Sequence, residues 1–180
     1  MIPMALDGNG NDNADTKATL VALLTGSQKV AICCVGNTDA GDDGAGMAIA
    51  PLLDPLKGDK VLVFECGQRP DSYVGDMAEF KPSLIIIVDA AEMDGAPGTL
   101  RLLEPGQLST VIMSTHSFMV DALIAEISLA IPGAKVGFLC IQVKDVSPGA
   151  AMTDTIRKGM EAAAVLLKDV LIEAGLAGKG

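Results

Sequence analysis

The chain has 180 residues, 49% of them hydrophobic and 20% charged, with a formal net charge of −10. That length suits one domain with a full hydrophobic core; the acidic balance repels nucleic acid and anionic membranes, and an aromatic content of 3% leaves no platform for stacking bases. No apolar run approaches the roughly 20 residues of a membrane span, the N-terminus lacks a secretion signal, and Cys33, Cys34, Cys66 and Cys140 form no C-x-x-C pair, so the expectation is a cytoplasmic protein with buried, reduced thiols.

In chain order, residues 1–13 are a Gly/Asn/Asp-rich lead (Asp7-Gly8-Asn9-Gly10-Asn11-Asp12-Asn13) expected to be flexible, and residues 14–180 a single domain. Asn13 or Asp15 can cap a short helix running through Leu24, with Leu20, Leu23 and Leu24 on one face. Lys29–Val35 predicts a buried strand, and apolar spacing predicts a helix from near Asp43 to Leu56, its last turn disturbed by Pro51. Lys60–Glu65 predicts the next strand, and Pro70 opens a helix ending near Phe80. Leu84-Ile85-Ile86-Ile87-Val88, bounded by Pro82 and Asp89, reads as a strand buried on both faces, central in a covered, largely parallel sheet. After the turn Ala96-Pro97-Gly98 come a strand at Thr99–Leu103, a loop over 104–115, a helix from Ser117 to Ile131 and a strand at Lys135–Val143. The final helix begins at Thr153 or Asp154 and buries Ile156, Met160, Ala164, Leu167 and Leu171. The alternation predicts an α/β three-layer sandwich, with a mostly parallel, mixed central sheet and helices on both faces.

The run Val35-Gly36-Asn37-Thr38-Asp39-Ala40-Gly41-Asp42-Asp43-Gly44-Ala45-Gly46 joins the first buried strand to a helix, where α/β proteins place ligands. A phosphate-binding turn uses backbone N–H groups and the helix dipole to hold an anion. Here Asp39, Asp42 and Asp43 oppose an anion and favour a cation, and Gly41-x-x-Gly44-x-Gly46 reverses the dinucleotide order G-x-G-x-x-G. Asp89 is expected at the end of the central strand, and His116, the only histidine, at the start of a helix. Two carboxylates and one imidazole form a donor set suited to a borderline divalent ion such as nickel or zinc. Structural readings stand beside this one. Asp42 and Asp43 can cap a helix, Asp89 a turn, and His116 can be a polar helix-start residue. Asp39 can be a solvated loop acid and Glu65 a strand-end acid.

The flanks carry a resemblance. Gly36-Asn37 with Gly41-Asp42-Asp43-Gly44-Ala45-Gly46, then Glu65-Cys66-Gly67, Ile87-Val88-Asp89-Ala90, Pro97-Gly98, Ser114-Thr115-His116 and Ile141-Gln142, stand in the order of the nickel–iron hydrogenase maturation endopeptidases. The similarity spans about residues 29–172 and is closest to the hydrogenase 3-type branch. It implies an endopeptidase that removes a C-terminal extension from a hydrogenase large-subunit precursor once nickel is inserted. The nickel carried by the precursor is then the recognition signal, other divalent ions being able to occupy the site, and Asp43, Asp89 and His116 are the contacting residues. Water attack, with Asp39 or Glu65 in possible support, is the expected chemistry, because no second histidine is present to complete a covalent triad. Cys66 stands where the family often has glycine, and Val143 where it often has proline. The rival readings are a metal-dependent hydrolase of small molecules, a nickel-dependent adaptor that binds the precursor without cutting it and, more distantly, a nucleotide-binding module.

Overall fold

A computed structural model describes residues 11–113 and 117–177. The chain runs α1 (Asn11–Leu24), β1 (Val30–Val35), α2 (Ala45–Leu53), β2 (Val61–Gly67), α3 (Val74–Phe80), β3 (Leu84–Glu92), β4 (Leu100–Leu103), β5 (Ile112–Met113), α4 (Ser117–Ala130), β6 (Lys135–Gln142) and α5 (Asp154–Glu173). The sheet order is β2-β1-β3-β6-β4, and β5 pairs with the end of β3. β1, β2, β3 and β6 are mutually parallel, while β4 and β5 run antiparallel to their neighbours.

β1 is buried at every residue and β3 at every residue before Glu92. Both are apolar without alternation because each side of the sheet is covered. One core joins Leu20 of α1, Ile49 and Leu53 of α2, and Ile156, Ala163 and Leu167 of α5 to Ile32, Cys34, Ile86 and Val88. The other joins Val74 and Met77 of α3 and Leu123 and Ile127 of α4 to Cys33, Val35, Ile85 and Ile87. Adjacent residues Cys33 and Cys34 thus enter different cores, as strand pleating demands. The expected buried stripe of the last helix is present in full and gains Gly159, Ala163 and Val170.

Several boundaries differ from expectation. β3 does not stop at Asp89 but continues to Glu92, because Asp89, Ala90 and Ala91 pair with Cys140, Ile141 and Gln142 of β6. The helix expected from Asp43 to Leu56 divides into a 3-10 turn at Gly41–Gly44, the α-helix from Ala45, and a second 3-10 turn at Asp54–Leu56. Pro51 lies inside α2, which ends two residues later at Leu53; its missing N–H and ring bulk weaken that last turn. α1 opens at Asn11, ahead of both expected caps, and the remainder of the lead, 1–10, lies outside the described residues. The 104–115 connection contains a 3-10 turn, Pro105–Thr110, closed by a Glu104–Gln107 capping box, and then β5.

At the N-terminal edge of the sheet, lysines take helix-end carbonyls. Lys29 Nζ donates to Phe80 O at the end of α3 (3.3 Å), and Lys135 Nζ to Leu23 O and Thr25 O at the end of α1 (3.3 Å each). Lys60 Nζ donates to Gly175 O just beyond α5 (3.2 Å). These cations oppose the negative ends of the helix dipoles. No helix among the described residues is long and apolar enough to cross a membrane.

All four cysteines are free and buried. A hydrogen bond with Cys66 and burial push the Cys33 thiol up, and burial does the same for Cys34 and Cys140. Thiolate is the reactive form and all four sulfurs are shielded by burial, so native protein at pH 8 is expected to give no fast reaction with a disulfide reagent. All four thiols should titrate in guanidinium; rapid labelling of even one in the native state would contradict this packing.

Candidate active site

The connection leaving β1 covers one face of the sheet with α2, whereas the connection from β3 to β6 places α4 on the other. The C-terminal ends of β1 and β3 therefore flank a topological switch point, where open α/β sheets hold ligands. Glycines bring the first turn down onto it. A Cβ at Gly46 would lie 2.1 Å from Val35 O and 2.4 Å from Val88 O, so only hydrogen lets the start of α2 sit across the end of β1 and the middle of β3. Gly36, at φ +148°, lies so close to Asp43 that a Cβ would be 2.2 Å from its carbonyl oxygen. The glycine order that is wrong for a dinucleotide serves close backbone approach instead.

Asp42 and Asp43, alike in residue type, have different surroundings in the structure. Asp42 is fully buried. Its Oδ2 accepts the N–H groups of Lys144 (3.0 Å) and Asp145 (2.7 Å) and the Thr153 hydroxyl (3.3 Å), and its Oδ1 accepts Thr153 N–H (2.7 Å). It is therefore not a loop acid waiting for a cation. Neither aspartate caps the helix it precedes, since Gly44 holds that position and no side chain bonds there. Asp42 caps α5 instead, where Thr153 makes no cap bond with its own side chain. Asp43 is half-buried, and its Oδ1 is enclosed with no hydrogen-bond partner among the described residues. An enclosed carboxylate oxygen without a donor is costly, and it is the type of atom a cation ligates.

Asp89 is fully buried inside β3, and its Oδ1 accepts the N–H of Ala90 (2.8 Å). It lines a cavity of about 310 Å³ whose walls include Val35, Ile87, Met113, Val120, Leu123 and Phe138. Gln68, Asp71 and Glu126 supply polar groups to this cavity. Arg69 donates from Nε and Nη2 to Asp71 (3.0 and 2.7 Å), which holds the Asp71 carboxyl below the usual carboxylate range. The turn bearing Asp43 packs against β3, the strand that carries Asp89, although Asp43 is not among the residues lining this cavity. His116 lies outside the described residues, and among those described no three His, Cys, Asp or Glu side chains form a metal cluster.

The supporting acids sit apart from the cavity. Asp39 is exposed; its N–H donates to Asn37 Oδ1 (3.0 Å) and its carbonyl accepts Gly149 N–H (2.7 Å). Glu65 is exposed on β2, which continues past it to Gly67, so it is not the strand-end acid expected. Its alternation with Val61 and Val63 places it on the α2 side of the sheet, whereas Asp89 alternates with Ile85 and Ile87 on the other.

Gln142, noted in the sequence only as part of a motif, is a pin for the β3–β4 connection. Its Oε1 accepts Met93 N–H (2.7 Å) and Gly95 N–H (3.2 Å), while its Nε2 donates to Glu92 Oε1 (2.7 Å) and Val143 O (3.1 Å). The two departures also gain a physical meaning. Val143 donates its N–H to Ala91 O (3.1 Å), a bond no proline can make. Cys66 lies at the irregularity where β2 shifts register against Cys34 and Val35, and it fills the core beside Cys33, whose Sγ lies 3.2 Å from Met77 Sδ.

Comparison with known proteins agrees with this architecture. The hydrogenase maturation protease family, HycI, matches residues 52–169; Asp89 and His116 lie within that span and Asp43 precedes it. The hydrogenase 3 maturation protease of Escherichia coli (strain K12) is 31% identical over 131 residues, covering 72% of this chain and 83% of that protein. The crystal structure of the [NiFe] hydrogenase maturation protease HycI from Thermococcus kodakarensis KOD1 superposes with a TM-score of 0.77 at 28% identity, covering 86% of this chain and 99% of that one. The solution structure of the endopeptidase HycI from Escherichia coli does so with a TM-score of 0.67 at 30% identity, covering 76% and 87%. With a switch-point cleft between β1 and β3 and this extent of sequence and structural agreement, the chain belongs to the hydrogenase maturation proteases and is an endopeptidase.

Proposed function

We propose that this protease removes a C-terminal extension from the large-subunit precursor of a nickel–iron hydrogenase, in the cytoplasm, and that the nickel already held by the precursor is its recognition signal. Asp43, Asp89 and His116 contact that nickel in this reading. The observation that carries it is the enclosed Asp43 Oδ1, which lacks a donor among the described residues, in a turn that packs on β3, the strand whose Asp89 lines the cavity. Oxygen donors from two aspartates and one imidazole nitrogen suit a borderline divalent ion and leave coordination positions for the precursor's own groups. Free, buried thiols fit a reducing compartment.

Water adds to the scissile carbonyl carbon, a carboxylate at the site takes its proton, and that proton passes to the departing amine as the C–N bond breaks. The apolar walls beside Asp89 limit bulk water and strengthen the charge interactions at the site.

The test is mass spectrometry of large-subunit precursor incubated with the protease, with and without prior nickel loading. One cut near the C-terminus of loaded precursor, and full-length unloaded precursor, is the expected result. Efficient cutting of unloaded precursor would overturn nickel recognition, and a stable complex with loaded precursor that is never cut would favour the adaptor reading.

A further inference from the structure

Asp42, like Asp43, is not among the residues lining the cavity, yet its carboxylate gathers N–H groups from residues 102, 103 and 111 positions away. The same segment grips the turn's main chain. Gly41 N–H donates to Ala150 O (3.1 Å), Asp42 N–H to Asp145 O (2.9 Å), and Gly149 N–H to Asp39 O (2.7 Å). On the other side, Asn37 N–H donates to Asp43 O (3.2 Å). Asp43 therefore lies in a turn clamped on both flanks, while its own side chain makes no bond that would hold it at Oδ1.

Consecutive residues of a 3-10 turn project roughly 120° apart. Anchoring the Asp42 side chain in loop 144–153 thereby sets the direction in which Asp43 leaves the backbone. A buried carboxylate needs such donors whatever its purpose, and capping α5 alone explains the bond to Thr153. It does not explain why Lys144 and Asp145 converge on the same carboxylate, or why the loop bonds to the backbone of residues 39, 41 and 42. Those contacts immobilise the turn itself.

We propose that Asp42 is a positioning residue for the peptidase reaction, holding the Asp43 carboxylate in its working orientation through a clamp formed with loop 144–153. The proposal rests on the reading of Asp43 as a contact to the precursor's nickel. A displacement of about 1 Å in such a group costs on the order of 100-fold in rate.

Asp42→Asn keeps the side-chain shape but turns one acceptor oxygen into an NH2 group, which then faces N–H donors of Thr153 or of Lys144 and Asp145. The measurements are the melting temperature, kcat/KM on nickel-loaded precursor well below that temperature, and the ratio of affinities for loaded and unloaded precursor. With the variant folded by circular dichroism, kcat/KM should fall roughly 100-fold and the preference for loaded precursor should collapse towards one. A residue that only stabilises the fold would leave both at wild-type values in folded protein, and that result overturns the proposal. Should Asp42→Asn not fold, Thr153→Val decides, because it removes one hydroxyl bond and keeps the backbone donors. A roughly threefold slower rate at unchanged melting temperature, equal to about 0.6 kcal/mol, supports the clamp, and an unchanged rate overturns it. Asp43→Asn, run alongside, separates the two ideas. If Asp43→Asn is inactive and folded Asp42→Asn is fully active, only the clamp fails; if Asp43→Asn keeps the nickel preference, the reading of Asp43 fails.

Discussion

Asp43→Asn is expected to lower cleavage of nickel-loaded precursor by at least about 100-fold while moving the melting temperature by no more than about 2 °C. The structure gives the side chain little to lose in stability. It caps no helix, and its Oδ1 has no partner among the described residues. Asparagine has nearly the same shape, so packing at the start of α2 is kept. What disappears is the negative charge, and with it most of the affinity for a cation brought by the partner. Calorimetric melting and a cleavage time course settle the matter together. A large fall in melting temperature with normal cleavage would assign Asp43 to the fold.

Gly46→Ala should fail for the opposite reason. The new methyl would meet two backbone carbonyl oxygens, at 2.1 and 2.4 Å, and neither can rotate away as a side chain would. α2 must lift from the end of β1 and from Val88 of β3, at a cost of about 3 kcal/mol or more. In a chain of this size that corresponds to a melting temperature lower by about 6–12 °C. Cleavage should be lost even in the folded fraction, because the turn carrying Asp43 moves with the helix. Gly58→Ala is the control, since nothing lies within 4 Å of its added methyl; its stability should stay within about 0.5 kcal/mol of wild type. Equal stability of both variants would mean that the close approach at Gly46 does not exist.

Local signals carried most of the architecture. The unbroken apolar run of β3 announced a strand covered on both faces, and the stripe from Ile156 to Leu171 announced the packing of α5 because helical periodicity is written within a few turns. The site was harder to read. Asp89 was placed at a strand end because a charged residue after five apolar ones resembles a boundary, yet the pairing with β6 that keeps it inside β3 is contributed by residues about 50 positions later. Residue type and spacing alone do not separate Asp42 from Asp43, which only the family resemblance singles out, because their structural difference consists of donors supplied from beyond residue 143. Gln142 has the same character, since its partners in the β3–β4 connection lie 47 to 50 residues away. α2 starts two residues after Asp43, where apolar spacing points, because Gly41–Gly44 takes the tighter 3-10 winding, and short 3-10 turns leave no periodic pattern to detect.

The long reach of Asp42 also sets an order of events during synthesis. Its carboxylate leaves the ribosome 102 residues before Lys144 and 111 before Thr153. At about 5–20 residues per second that interval lasts roughly 5–20 s. Throughout it the turn bearing Asp43 is held only by the Asn37 bond on its earlier flank, and α5, which covers one face of the sheet, does not yet exist. The same non-local closure makes this one of the slower contacts to form once the chain is released. On the proposed role of Asp42, a nascent chain, or one clipped before Thr153, lacks the clamp, and cleavage begins only once loop 144–153 is in place.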